Sequence, residues 1–211
     1  MKVNEIYATI VGESSHAGRP CVLLRFTGCS IRCSYCDTTY AFEEGEERSL
    51  EQILDRIASF GLSLVLVTGG EPLEQPDLPL LLDKLLENGY EILVETSGAL
   101  PIEPLVRRAT IIMDIKCPGS GVSETMHWEN IALLGPRDEV KFVICDRRDY
   151  EWARQVLSEP LRDWRGTVLF SPAHGSLPPS RLAGWILEDR LPVRLHIQLH
   201  RTVWPDRERG V

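Results

Sequence analysis

The chain has 211 residues, 43% of them hydrophobic, and 23 Lys and Arg against 31 Asp and Glu give a formal net charge of −8. This composition supports one globular domain over residues 1–211 and excludes extended disorder; the acidic balance argues against nucleic-acid binding, which depends on Lys and Arg neutralising phosphates. No apolar run reaches the roughly 18–20 residues of a membrane span and the N-terminus has no signal-peptide core, so a cytoplasmic protein without a membrane partner is expected.

Taken in chain order, short runs rich in branched residues alternate with helical patterns. An N-terminal strand around Asn4–Ile10 precedes a run at Cys21–Phe26. Ser49 with Gln52 forms a capping-box signature, Leu50, Ile53, Leu54 and Ile57 share one helical face, and Gly61 ends that helix. Leu64–Thr68 reads as a strand, followed by a helix capped at Asp77 and carrying Leu78, Leu81, Leu82 and Leu85. Further strands are predicted at Glu91–Glu95, Thr110–Ile115, Glu139–Ile144, Thr167–Phe170 and Val193–Gln198. Weaker helical patterns cover Pro101–Arg107, Asp149–Leu157 and Pro179–Leu187. Repeated strand–helix–strand units imply an α/β fold: a partial, open barrel of about six parallel strands, with an extra N-terminal strand at one edge, since a closed eight-fold barrel takes roughly 250 residues.

In such sheets ligands gather where strands end. Thr68-Gly69-Gly70-Glu71-Pro72, Glu95-Thr96-Ser97-Gly98 and Asp114-Ile115-Lys116 all stand at predicted strand ends, and a cysteine cluster follows Cys21–Phe26 in the same way. These coincidences point to one shared site, whereas any one segment alone reads equally as a turn. Cys29, Cys33 and Cys36 have the spacing Cys-x3-Cys-x2-Cys, while Cys21, Cys117 and Cys145 sit in or beside apolar runs and read as core. Clustered thiolates select zinc or iron–sulfur, and a structural zinc site wants a fourth ligand that is missing nearby. Three thiolates suit a four-iron cube with one iron left open to a ligand.

That spacing after the first barrel strand, with Gly69–Pro72 after the next, resembles the radical S-adenosylmethionine (SAM) superfamily. The resemblance implies a [4Fe-4S] cluster on Cys29, Cys33 and Cys36 whose open iron chelates SAM, and a SAM cleavage that releases a 5′-deoxyadenosyl radical. Along nearly its whole length the chain is also similar to the 7-carboxy-7-deazaguanine synthases of queuosine biosynthesis. The similarity is carried by Asn4-Glu5-Ile6-Tyr7, Gly12-Glu13, Arg25, Cys36-Asp37-Thr38, Thr68, Glu95–Gly98 and Gln198-Leu199-His200-Arg201.

This implies conversion of 6-carboxy-5,6,7,8-tetrahydropterin to 7-carboxy-7-deazaguanine with loss of ammonia, SAM and Mg²⁺ serving as cofactors. Substrate contacts are expected from Ile10, Val11, Gly12, Glu13, Arg25, Thr68 and His200; SAM contacts from Tyr35, Cys36, Asp37, Gly70, Asp114, Lys116 and Ser171; and Mg²⁺ coordination from Thr38. The residue types fit: Arg25 suits a carboxylate, and Thr38 is a hard oxygen ligand. The bland alternatives are turn capping for Glu13 and Thr68, a satisfied histidine in an apolar strand for His200, and a mutual pair for Asp114 and Lys116. An electron donor such as flavodoxin and a homodimer are also implied. The chain departs from the family in having Val11-Gly12-Glu13-Ser14 for Gln-Gly-Glu-Gly, Asp114-Ile115-Lys116 for Ser-Pro-Lys, and a tail, Trp204–Val211, to which no site role is assigned. Competing readings are a glycyl-radical activase and a non-enzymatic metal or electron-transfer module.

Overall fold

The computed structural model describes residues 1–207 and 209–211. One nine-stranded sheet runs in the order β3-β1-β2-β4-β5-β6-β7-β8-β9 and does not close on itself. Its strands are β1 (Lys2–Ile10), β2 (Pro20–Phe26), β3 (Glu46–Glu47), β4 (Leu64–Gly69), β5 (Glu91–Thr96), β6 (Thr110–Asp114), β7 (Glu139–Ile144), β8 (Thr167–Pro172) and β9 (Arg194–Leu195). Neighbours from β2 through β9 pair in parallel, whereas β1 is antiparallel to both β2 and β3. The partial, open α/β barrel expected from the sequence is therefore present, with β3 as an additional edge strand.

Helices α1 (Leu50–Ala58), α2 (Leu78–Glu87), α3 (Arg147–Ser158) and α4 (Pro179–Glu188) connect the parallel strands, and α5 (Leu199–Val203) follows β9. Ser49 caps α1 as its capping box predicts: its hydroxyl accepts from Gln52 N at 3.2 Å, and Ser49 N donates to the Gln52 side chain at 2.9 Å. Asp77 precedes α2 without a side-chain cap. Pro101–Arg107 forms only a 3₁₀ turn at Glu103–Leu105, because Pro104 supplies no N–H and Arg107 turns left-handed at φ 65°. In α3 the cap is Asp146, which accepts from Asp149 N at 3.0 Å. The predicted strand at Val193–Gln198 shrinks to Arg194–Leu195, and α5 takes over at Leu199. His200 consequently lies on a helix, not on an apolar strand.

The period-two alternation of the strands divides two cores. On the outer face Val22, Leu24, Phe26, Val65, Val67, Ile92, Val94, Ile111, Met113, Val140 and Phe142 form the main core together with buried residues of α1, α2, α3 and α4. On the inner face Cys21, Leu23, Leu64, Leu66, Leu93 and Ile112 form a smaller cluster, closed by Val11. Further along, the same inner-facing series becomes polar: Arg25 on β2, Thr68 on β4, Glu95 on β5, Asp114 on β6, Lys141 on β7 and Ser171 on β8 all line one cavity. Register brings Arg25 beside Thr68 and Asp114 beside Lys141.

Residues 196–207 and 209–211 cross the gap that the open sheet leaves. Leu199 N donates to Gly12 O at 2.9 Å, Tyr7 Oη donates to Val211 O at 2.7 Å, and Arg209 pairs with Glu44 at 2.7 Å. No helix among the described residues is long and apolar enough to cross a membrane. Replacing Ser49 with Ala should lower stability by about 1 kcal/mol, seen as a lower denaturant midpoint with an unchanged m-value.

Candidate active site

The cavity on the inner face has a volume of about 240 Å³. Cys29, Cys33 and Cys36 reach it from the loop after β2, and all three are half-buried. The other three cysteines stand outside its wall, Cys21 and Cys117 in the cores. Burial pushes the Cys29 thiol up to about 11 and also raises Cys33. In metal-free protein they are therefore neutral thiols, and metal binding must displace their protons. Among the described residues no three His, Cys, Asp or Glu side chains are placed to hold a single metal ion. The soft donor set spread along this loop fits a polynuclear iron–sulfur cluster, each thiolate taking one iron.

The Gly69–Pro72 turn is clamped against that loop. Gly70 N donates to Phe26 O at 3.2 Å and Glu71 N to Gly28 O at 2.9 Å. A Cβ at Gly70 would lie 1.8 Å from Gly28 O and 2.7 Å from Cys29 Cβ, so only glycine allows this approach. Glu71 is 1% exposed and faces the end of β5, not the cavity. Its carboxylate accepts from Thr96 Oγ1 at 2.7 Å, Ser97 N at 2.9 Å and Leu73 N at 3.1 Å. The acidic residue of the motif thus ties β4's end to β5's, while the glycines shape the cavity wall.

Arg25 lines the same cavity; its Nε donates to Glu5 Oε1 at 2.7 Å, and Tyr40 Oη donates to the same oxygen at 3.0 Å. That leaves the terminal nitrogens of Arg25 to offer a ligand. Thr68 Oγ1 donates to Glu95 Oε2 at 3.0 Å; burial is the main reason the Glu95 carboxyl is raised, with Glu13 adding to it. His200 lies against Gly12, where a Cβ would meet His200 Nδ1 at 2.1 Å. Burial holds His200 below its usual value, which keeps a neutral ring at pH 7.

Glu13 enters from the loop between β1 and β2. That loop is pinned by Val11 N to Arg19 O at 2.8 Å, Gly18 N to Val11 O at 2.9 Å and Ser15 N to Glu139 Oε2 at 3.0 Å. Lys141 and Gln198 hold the Glu13 carboxylate, the latter donating at 2.9 Å. Burial acts to raise Glu13, but these partners prevail and hold it well below the usual carboxylate range. Lys116 Nζ lies 3.0 Å from Asp114 Oδ2, the pairing that the sequence left open, and Asp114 Oδ1 is buried without a partner. Gln198 and Arg201 donate to Asp37 Oδ2 at 3.1 and 3.0 Å, and Thr38 Oγ1 to Asp37 Oδ1 at 3.0 Å.

The cavity thus gathers Ile10, Gly12, Glu13, Arg25, Thr68 and His200 with Tyr35, Cys36, Asp37, Thr38, Gly70, Asp114, Lys116 and Ser171. Val11 is not among them: its side chain fills the inner core and both its backbone groups are used within its own loop. Glu95 of the strand-end segment lines it too, and so do residues without a role in the sequence reading, Lys141 and Val211 among them. Lys141 carried a legible signal, since a lysine in the middle of the apolar run Glu139–Ile144 needs a buried partner just as Arg25 does. Val211 carried none, because only the crossing of the final segment brings it there.

An open parallel sheet with three thiols at the end of its first parallel strand defines the class. Residues 23–158 match the model of the radical SAM superfamily, and the chain belongs to that superfamily. Enzymes of this class use a [4Fe-4S] cluster and SAM. Within it, the chain belongs to the family of the 7-carboxy-7-deazaguanine synthases. It is 42% identical to that synthase from Chlorobaculum tepidum, over all of this chain and 97% of the other, and 39% identical to that of Koribacter versatilis over the whole of both. In fold it is similar to crystalline QueE from Escherichia coli, with a TM-score of 0.76 over 93% of each chain at 24% identity. Replacing Gly70 with Ala should part the two loops and cut iron retained after anaerobic reconstitution by about half or more, with unchanged far-UV circular dichroism. Full iron content in that variant would show that the close approach is dispensable.

Proposed function

We propose that the protein converts 6-carboxy-5,6,7,8-tetrahydropterin to 7-carboxy-7-deazaguanine with release of ammonia, in queuosine biosynthesis. The observation that carries this reading is a single cavity lined by the three thiols Cys29, Cys33 and Cys36 together with Arg25 and His200. Cys29, Cys33 and Cys36 would hold the cluster, and Tyr35, Asp37, Gly70, Asp114, Lys116 and Ser171 would surround SAM. Bound together, cluster and SAM would supply one-electron radical chemistry at this cavity.

The rest falls to the chain's own side chains. Arg25, oriented by Glu5, binds the substrate carboxylate through its terminal nitrogens. Glu13, Thr68 and the backbone of Ile10 and Gly12 read the donor and acceptor edge of the pterin. His200, wedged against Gly12 and uncharged, orients the ring without adding a second cation beside Arg25. Thr38, beside the Asp37 carboxylate, offers Mg²⁺ a hard oxygen ligand, with water and substrate oxygens completing the shell. Residues 1–211 act as one catalytic unit, because β1, the parallel strands from β2 to β8 and the final segment contribute to the wall of the same cavity. A cytoplasmic setting, an external electron donor such as flavodoxin and a homodimer complete the reading.

Anaerobic turnover of the carboxy-tetrahydropterin with reductant tests it. The deazapurine and ammonia should form with SAM recovered, whereas radical formation on a glycine loop of a partner protein would assign the chain to activase chemistry. Cys33→Ala should abolish SAM cleavage. Arg25→Ala should lower kcat/KM for ring contraction by about 10²-fold, the effect of leaving a buried charge without its partner, while uncoupled SAM cleavage persists. Equal loss of both activities would make Arg25 a structural residue.

A further inference from the structure

Lys141 has no part in the reading so far, yet it is the most enclosed cation in the cavity. Its side chain is 8% exposed, and its ammonium contacts Glu13 Oε2 and lies 3.3 Å from Asp114 Oδ2. The groups facing it come from every neighbouring element: Glu13 from the loop after β1, Glu95 from β5, and Asp114 and Lys116 at the end of β6. His196, just after β9, faces both Glu13 and Lys141, and its Nε2 is buried without a partner. His200 on α5 and Asp37 from the loop after β2 face Glu13 as well; Asp114 has a second cation in Lys116 at 3.0 Å, whereas the direct partners of Glu13 among the described residues are the neutral Gln198 amide and Lys141. Removing Lys141 therefore strands Glu13 far more than Asp114.

We propose that Lys141 is a positioning residue that acts through Glu13, holding its carboxylate ionised and in place at the cavity wall. The role rests on the functional reading above. A buried carboxylate without a counter-charge takes up a proton, and a protonated Glu13 presents one acceptor fewer to the donor edge of a pterin. The burial that acts to raise Glu13 is opposed chiefly by Lys141, and the three carboxylates keep Lys141 charged.

The test measures equilibrium binding of the fluorescent, non-reacting 6-carboxypterin to anaerobically reconstituted holoenzyme without reductant, from pH 6 to pH 9. Wild-type affinity should be nearly flat over this range. Lys141→Met should bind about tenfold or more weakly at pH 6.5 and recover as the pH rises and Glu13 ionises. Lys141→Arg, which keeps the charge, should restore the flat profile. Glu13→Gln should be weak at every pH, and adding Lys141→Met to it should change affinity by less than about twofold, as expected when two residues act through one interaction. A Lys141→Met defect that is independent of pH, or that adds to Glu13→Gln, would overturn the positioning role while wild-type binding upheld the functional reading. Failure of the wild-type holoenzyme to bind the pterin at any pH would overturn the reading itself, and this role with it.

Discussion

The site depends on a buried ammonium that needs carboxylates around it. Lys141 sits on the inner face of β7 beside Asp114 on β6, with Glu13 and Glu95 also near it. A charge held this far from water persists only when paired, and a pair of this kind is useful mainly for fixing which side chain goes where. Here it draws the loop between β1 and β2 into the open barrel and holds Glu13 at the cavity. The same loop carries Gly12, against which His200 rests, so the position of the final helix follows from it.

The curved sheet makes this arrangement available at low cost in chain length. Inner-facing residues alternate with outer-facing ones, so six neighbouring strands each deliver one polar side chain to the same cavity. Below these residues the inner face is apolar and closed by Val11, which keeps the polar groups away from water on that side. An open barrel leaves a lateral gap, and Gln198, Leu199, Arg209 and Val211 bridge it through contacts with Asp37, Gly12, Glu44 and Tyr7.

The Gly-Gly-Glu-Pro turn shows how a motif divides its work. Its second glycine allows the loop bearing Cys29 to approach the strand end, and its glutamate turns away to bind Thr96 and Ser97. The carboxylate at Glu71 is thus spent on joining two strand ends, which aligns the thiols with the strand-end polar residues across the cavity.

Much was legible from residues alone. Alternation located the parallel strands, the Ser49–Gln52 box located α1, and thiol spacing with the glycine turn picked out two loops that meet at the cavity. These are local signals, encoded within a few residues of one another by side-chain period, capping chemistry and ligand softness. The tertiary structure alone decided that Val11 turns into the inner core, that Lys141 pairs with a loop 128 residues away, and that Val211 returns to the cavity wall. Such contacts join distant segments through sheet register and chain crossing, and a linear order of residues carries no distance between them until the fold has closed.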